Sequence, residues 1–255
     1  MLIFFKYAKI LTMFDYEIKI AETKQEKEAA FRLRFDVFKK ELGCSFSSES
    51  LETDIYDNYC DHLIVIDRTK NLVVGTYRLL LGSRVNPKIG FYSEKIFDIK
   101  NIKKLKEEKL ELSRSCIHQD YREGIIIHLL WNGIAKYIKE NSVRYVFGSV
   151  RLNSIQPQDV SNSFSLIKQK YYAPLKFRVY PLKKCGFKEL DKKLKITEHK
   201  EVFLKLPALV KGYLRSGVKI CGEPAWNPDF GSVVFFILLD IENMSNKYRR
   251  HFLNL

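Results

Sequence analysis

Residues 110–138 read LELSRSCIHQDYREGIIIHLLWNGIAKYI and carry the pattern that decides the fold. Apolar and polar residues alternate over 110–117, which predicts a strand, and an apolar run after a short basic turn predicts a helix over 122–141. The helix is apolar on most of its faces, which indicates a central position in the core. A further strand is predicted over 143–150. Strand, helix and strand in this order are typical of an α/β sheet.

The flanking sequence continues this succession of strands and helices. The N-terminal side predicts a strand over 14–22, a helix over 24–43 that ends at Gly43, a hairpin of 61–67 and 72–81, and a short helix over 98–109. The C-terminal side predicts helices over 161–172 and 207–217 and a buried strand over 232–240. This order predicts a mixed α/β sheet with helices on both faces.

We find no linker, internal repeat or low-complexity tract that would divide the chain of 255 residues. We therefore predict an N-terminal apolar and basic extension over 1–13, a core over 14–150, and a C-terminal part of the same domain over 151–255. The opening MLIFFKYAKILTMF is too short and too basic to span a bilayer. It either lies on a lipid surface or precedes the true start at Met13.

The net charge of +14 indicates an acidic partner: an acidic protein, an anionic membrane surface or nucleic acid. The lysines cluster in 100–109 and 183–195 without interleaved aromatic residues or a DNA-binding motif, so nucleic acid is not expected. General overuse of lysine is the alternative explanation. Five cysteines without a CxxC pair, and no cleavable signal sequence, favour a reducing cytoplasmic setting.

Alternation along KLELSRSCI, residues 109–117, predicts two faces of different chemistry. One face carries Glu111, Ser113 and Ser115, and the other carries Leu112, Arg114 and Cys116. A carboxylate and a hydroxyl on a central strand are costly to bury unless they have partners or a function. A strand with one face in water is the alternative.

The turn HQDYREG, residues 118–124, precedes a helix whose first amides have no intrahelical partners. Such amides can donate to a phosphate, with Arg122 adding charge and Gly124 allowing close approach to the backbone. A plain connection is an equally good interpretation of these two residues. The pattern H-x-x-x-x-D formed by His62 and Asp67 is interpreted as chance, because residues five apart in a strand face opposite sides. The histidines show no metal-ligand spacing with cysteines or carboxylates, so no metal is expected.

Several segments in order resemble a known family: RFDVFKKELG with Arg34 and Phe38, ETDIYD (52–57), VVGTYRLL with Arg78, and ELSR (111–114). This set resembles the GNAT-fold acyltransferases that use acyl carrier protein, including the acyl-homoserine-lactone synthases. SCIHQDYREGIIIHLLWNGIAKY, VFGSV and PALVKGYLRSGVKICGEPAWNPDFGSVVFFILLD are similar to the ornithine N-acyltransferases, or lyso-ornithine-lipid synthases. The resemblance covers roughly residues 15–250. The last stretch is its most specific part, because homoserine-lactone synthases lack it.

The resemblance implies transfer of a 3-hydroxyacyl group from acyl carrier protein to the α-amine of ornithine, in lipid biosynthesis. It implies Glu111 as the general base and Ser113 as a second catalytic residue, both facing the reacting thioester. No cofactor is permanently bound, since the phosphopantetheine arm of the carrier supplies the acyl group. The residues that the resemblance implies for holding this arm are Cys116, Ile117, Arg122, Glu123, Gly124 and Ile125.

For the substrate, the resemblance implies Asp54 and Asp57 as ligands of the ornithine cation and Arg34 or Arg78 as ligands of its carboxylate. It implies Arg114 as a further substrate-binding residue. An internal ion-pair network that orders the loop 44–60 is the alternative for these side chains, and both roles can coexist. The lysine clusters would bind acyl carrier protein, a membrane surface or both.

Three other functions remain open from the sequence. The amine substrate could be another amino acid. An acyl-homoserine-lactone synthase is disfavoured, because Cys44 stands where that family has tryptophan and because of the extra C-terminal region. A basic, membrane-peripheral binding protein without enzymatic activity is the third. For the leading hypothesis we expect a cytoplasmic protein, with peripheral attachment to the inner membrane as an option.

Overall fold

The computed structural model describes residues 15–44, 50–245 and 248–250, so the predicted N-terminal extension lies outside the described residues. The strands are β1 (Tyr16–Ile20), β2 (Asp61–Asp67), β3 (Leu72–Leu81), β4 (Phe97–Asp98), β5 (Lys109–Ile117), β6 (Tyr145–Arg151), β7 (Tyr180–Pro181), β8 (Lys219–Ile220), β9 (Ala225–Asn227) and β10 (Ser232–Asp240). The α-helices are α1 (Lys24–Phe35), α2 (Lys100–Lys103), α3 (Ile125–Glu140), α4 (Pro157–Lys170), α5 (His199–Lys205) and α6 (Ala208–Ser216).

Most predicted elements are present with shifted ends. The hairpin of β2 and β3 and the last strand β10 have the predicted bounds. Helix α1 ends before the predicted Gly43, because the chain continues as a π-helix over Asp36–Glu41. The predicted helix over 98–109 shortens to the four residues of α2. The short strands β4, β7, β8 and β9 were not predicted, since two or three residues carry no periodicity.

The described residues form two compact units, of which the first comprises residues 15–44, 50–80 and 112–141. In this unit β2 pairs antiparallel with both β1 and β3. Helix α3 packs closely on these strands, since a Cβ atom at Gly75 would lie 2.6 Å from Ile126 and one at Gly133 would lie 2.6 Å from Ile18. Helix α1 begins with a capping box formed by Thr23 and Glu26.

The second unit comprises residues 81–111, 142–245 and 248–250. Its long strand β10 pairs antiparallel with β6, β8 and β9, and a separate ribbon joins β4 to β7. One face of the β6–β10 pair, with Val150, Val233 and Phe235, packs in a core with Phe164 of α4 and Val210 of α6. The other face is aromatic, and there Phe147 stacks on Phe236 and contacts Phe91 edge to face; these residues belong to the second unit alone.

Within the ranges that the structure describes, we find no helix with both the length and the apolar composition needed to cross a bilayer.

Candidate active site

A buried ion network in the first unit contains all five residues predicted to bind substrate. Its members are three arginines and three carboxylates: Arg34, Arg78, Arg114, Glu52, Asp54 and Asp57. Arg34 donates to Asp57 Oδ1 at 2.8 Å and also pairs with Glu52. Arg78 donates to Asp54 Oδ1 at 2.5 Å and to Asp57 Oδ1 at 3.2 Å. The formal charges of the six side chains cancel, so the network can be buried as a unit.

Local structure presents the two aspartates to the arginines. Asp54 and Asp57 form a capping box at the start of the 3-10 helix Ile55–Tyr59, in which Asp54 Oδ1 accepts from the amide of Tyr56 and Asp57 Oδ2 accepts from the amide of Asp54. Burial would raise the pKa of Asp57, but Arg34 and Arg78 outweigh it and hold this pKa below its ordinary value. Burial likewise opposes the charge of Arg78, whereas Asp54 and Asp57 raise its pKa.

The side chains of Ser113 and Arg114 both reach this network, so the prediction that they lie on opposite faces of the strand is wrong. Ser113 Oγ accepts from Arg78 Nε at 2.9 Å, while Arg114 donates to Glu52 and to Asp54, each at 2.8 Å. The cause is the left-handed backbone at Arg114, with φ of 53°, which interrupts the alternation of the strand. The three arginines and two aspartates predicted as substrate ligands are all engaged in the internal network, which is the alternative role that the sequence left open.

His62 lies beside the network and is almost fully buried, with Nε2 3.9 Å from Asp57 Oδ1. Its ring packs edge to face on Phe31. Neither ring nitrogen has a hydrogen-bond partner among the described residues. Burial lowers the pKa of His62 to about 4, and the nearby Asp57 offsets this only in part. Asp67 instead accepts from Thr69 and Tyr121, so the two residues of the H-x-x-x-x-D pattern have separate surroundings.

Glu111 is buried in the second unit and its carboxylate is held by three donors. Oε2 accepts from the amide of Tyr92 at 2.9 Å, and Oε1 accepts from the amide of Ser93 at 2.8 Å and from Ser93 Oγ at 2.6 Å. These donors belong to the start of the 3-10 helix Tyr92–Lys95. Donors directed at a carboxylate favour its ionised form, which is the form that accepts a proton. These three hydrogen bonds therefore fix the position of the carboxylate.

A second polar group in this unit was not predicted from the sequence. The phenol of Tyr92 donates to Asp229 Oδ2 at 3.2 Å, Asn227 Nδ2 donates to that phenol at 3.4 Å, and Lys95 Nζ donates to Asp229 Oδ2 at 2.5 Å. Tyr92 and Asp229 are 137 positions apart in the sequence, so no local pattern joins them. The only available signal was the polar cluster WNPD within the C-terminal stretch that carries the resemblance.

The turn after β5 contains the residues that were predicted to bind the phosphate of the phosphopantetheine arm. Gly124 caps α3 with a left-handed φ of 99°, a conformation that strains other residues. Ile125 begins the helix, whose first amides have no intrahelical acceptors. The guanidinium of Arg122 donates to the carbonyl of Ile117 at 3.0 Å, which anchors it at the end of the strand. Cys116 and Glu123 were also predicted to hold the phosphopantetheine arm. Cys116 is buried, whereas Glu123 is exposed.

Comparison with known proteins gives consistent matches. Residues 33–132 match the family model described as an acetyltransferase (GNAT) domain. The L-ornithine N(alpha)-acyltransferase of Brucella abortus (strain 2308) is 31% identical over 244 residues, which is 91% of this chain and 86% of that protein. The protein of the same name from Rhodobacter capsulatus is 31% identical over 93% of this chain and 95% of its own length.

Among solved structures, an N-acyl amino acid synthase from uncultured soil microbes superposes with a TM-score of 0.53 at 10% identity. That match covers 89% of this chain and 92% of the other. The likeness concerns the fold, and together with the domain match it confirms the predicted GNAT-like α/β fold.

Proposed function

We propose that this chain, which belongs to the L-ornithine N(alpha)-acyltransferase family, transfers a 3-hydroxyacyl group from acyl carrier protein to the α-amine of ornithine and so forms lyso-ornithine lipid. Membership of the family confirms the resemblance found in the sequence and makes the chain an acyltransferase. The observation that carries the proposal is the identity of 31% across 91% of the chain.

The reaction joins the amine nitrogen to the thioester carbonyl carbon and breaks the carbon–sulfur bond. The attacking amine must lose a proton, and Glu111 is our candidate acceptor, directly or through water. The phosphopantetheine thiol leaves and takes up a proton, so the step balances without a further reactant. Because the amine attacks directly, no covalent enzyme intermediate is involved.

On the donor side, the proposal assigns the phosphate of the phosphopantetheine arm to the turn over 122–125. The left-handed Gly124 and the first turn of α3 support this assignment, since the first amides of a helix have no intrahelical acceptors and can donate to an anion. We assign the backbone over 114–117 to the pantetheine arm and the thioester carbonyl. Ser113 contributes through its hydrogen bond to Arg78, which fixes this part of the strand.

We assign a positioning role to the network of six charged side chains. Arg34 and Arg78 are almost completely buried and already paired, so an incoming carboxylate would have to displace Asp54 or Asp57. The network instead joins the loop that contains ETDIYD to the strand at Ser113 and Arg114. The network thereby holds Arg114, the residue of β5 with a left-handed backbone, in place.

Acyl carrier protein is strongly acidic, and the second unit has a basic surface to receive it. The ribbon of β4 and β7 brings the two lysine clusters together. The amide of Leu182 donates to the carbonyl of Ile96, and Asn101 Nδ2 donates to the carbonyl of Arg178. We call the exposed lysines of this surface the basic face: Lys100, Lys103, Lys104, Lys176, Lys183 and Lys184. Residues 174–184 contain four cationic side chains and no acidic one. Leu175 and Tyr180 are exposed on the same segment, which also suits contact with a membrane that accepts the product.

The test is a reconstituted reaction with purified chain, 3-hydroxyacyl carrier protein and ornithine, followed by mass spectrometry. We expect N-acylornithine and free carrier thiol in equal amounts. Absence of any N-acylated amino acid with folded protein and intact donor would contradict the proposal. A parallel reaction with S-adenosylmethionine would reveal lactone synthesis through consumption of that compound.

A further inference from the structure

The aromatic face of the β6–β10 pair also carries buried polar atoms that have no protein partner. Ser149 stands opposite Phe236, and Ser232 stands opposite Asn227. Because directly paired residues share a face and residues four apart on β10 do so too, all four side chains lie on one side of the sheet. The hydroxyls of Ser149 and Ser232 are buried and have no hydrogen-bond partner among the described residues. Buried hydroxyls normally find partners, so these two are candidates for bonding a polar ligand.

The polar chain at Tyr92 adjoins this face through Asn227 and connects two carboxylates. The backbone N–H of Tyr92 donates to Glu111, and its phenol donates to Asp229. The amide of Asp229 in turn donates to Asn227 Oδ1 at 3.1 Å, which fixes the turn that presents the aspartate. One tyrosine thus sets the separation between the proposed general base and a second negative charge.

Asp229 already pairs with a cation of the same chemical class as the side-chain ammonium of ornithine. Its partner is the ammonium of Lys95, a primary alkylammonium on a flexible stem. The side chains of Lys95 and Asp229 are 46% and 31% exposed, so the pair is open to solvent and another ammonium can replace the lysine. A solvent-open pair of this kind contributes little to stability, which makes the exchange inexpensive in free energy.

We propose that Asp229 is the subsite for the side-chain ammonium of the acceptor amino acid, which displaces Lys95, while Glu111 at the other end of Tyr92 serves the α-amine. Asn227 and Tyr92 position the aspartate, and the hydroxyl of Ser232 bonds the bound amino acid. This assignment rests on the proposed function and names the residue that selects a diamino acid. Asp54 and Asp57 are less suited, since each is already bound to buried arginines.

The test compares ornithine with norvaline, which has the same carbon chain and no side-chain ammonium. Wild-type protein should prefer ornithine in kcat/KM. Asp229→Asn should lower kcat/KM for ornithine roughly 10- to 100-fold, the scale of a lost charge-assisted hydrogen bond, and bring the ornithine-to-norvaline ratio close to one. Asp98→Asn is the matched control, because Asp98 is also an exposed carboxylate paired with a lysine, at 3.1 Å from Lys100; it should keep the wild-type ratio.

Lys95→Ala provides an independent measurement. Removing the competing ammonium should lower KM for ornithine, whereas a purely structural Lys95–Asp229 pair predicts an unchanged or raised KM. An Asp229→Asn protein that folds and keeps the wild-type ratio would overturn the inference; if that variant does not fold, the KM of Lys95→Ala decides alone. Wild-type protein that acylates neither amino acid would overturn the proposed function instead, so the two failures are distinguishable.

Discussion

Glu111 is the single residue on which the proposed chemistry depends most. Its carboxylate is buried and held by the amides of Tyr92 and Ser93 and by the hydroxyl of Ser93. Glu111→Gln keeps the size, and its single amide oxygen can still accept the two bonds from Ser93, but its NH2 group cannot accept from the amide of Tyr92 and an amide cannot take the proton of the amine. We expect turnover to fall about 100-fold or more, with the fold retained. A variant that folds normally and keeps its turnover in the carrier-protein assay would remove Glu111 from the mechanism.

His62 predicts a pH dependence of stability that is separate from catalysis. Its pKa is about 4 in the folded chain against an ordinary value of 6.5, so the unfolded chain binds the proton more tightly. Stability is therefore full above pH 6.5 and falls as the pH is lowered toward 4, by about 3 kcal/mol in total. The lowered pKa of Asp57 acts in a different window, since its contribution is lost only as the pH falls below its ordinary value of 3.8.

Urea unfolding at several pH values measures this effect. His62→Phe keeps an aromatic ring against Phe31 and should flatten the decline between pH 6.5 and 4. An identical slope in the variant would mean that another group causes the decline.

At the scale of single elements, the packing of α3 on the strands of the first unit depends on Gly75 and Gly133. A Cβ atom at Gly75 would lie 2.6 Å from Ile126 Cγ2 and 3.2 Å from Leu130 Cδ1, both on the face of α3 that packs on the strands. Gly75→Ala should therefore lower the free energy of unfolding by about 1–3 kcal/mol, the scale of overpacking.

Gly186→Ala is the matched control for this substitution. A Cβ atom at Gly186 would meet its nearest neighbour at 3.8 Å, and the residue has no positive φ. Its free energy of unfolding should stay within about 0.5 kcal/mol of the original. Equal effects of the two substitutions would show that α3 can move away from β3.

The elements also show what the sequence could predict. The β2–β3 hairpin and β10 follow from local periodicity and were located correctly. The strand β5 was located as well, but its alternation fails at Arg114, because the ion pairs with Glu52 and Asp54 hold that residue in a left-handed conformation that no periodicity encodes. The ion network was foreseen as an alternative, since opposite charges recur in ETDIYD and the arginines. Which arginine pairs with which carboxylate depends on the tertiary fold, so the sequence could not predict the individual ion pairs.

The Tyr92–Asp229 contact marks the limit of sequence reasoning in this chain. The resemblance singled out the C-terminal stretch as specific, but it assigned no residue there to the site. The contact depends on β9 pairing with β10, and a strand of three residues has no detectable periodicity. Only the structure brings Asp229 to the residue whose amide holds Glu111.

At the scale of the whole molecule, the net charge of +14 predicts how the acyl donor is recognised. Reversing two cations of the basic face, with Lys176→Glu and Lys184→Glu together, should raise KM for the acyl carrier protein about tenfold or more and weaken its dependence on salt. KM for ornithine should not change, because neither lysine belongs to the proposed acceptor subsite.

Lys136→Glu is the control for this charge reversal, since Lys136 is an exposed lysine of α3 that pairs only weakly with Glu140 at 3.7 Å. A small acyl-pantetheine donor should be used equally well by all variants. If charge reversal on the basic face leaves KM for the carrier unchanged but reduces binding to vesicles of anionic lipid, this surface serves the membrane instead.

The most direct test of the central claim is lipid analysis of a host that makes no ornithine lipid, expresses this chain and is supplied with isotopically labelled ornithine. We predict a new lipid in which the intact labelled ornithine carries one 3-hydroxyacyl chain on its α-amine, and its absence with Glu111→Gln at equal protein level. A labelled lipid that persists with Glu111→Gln would contradict the assigned chemistry. Folded wild-type protein that yields no labelled lipid would contradict the function itself.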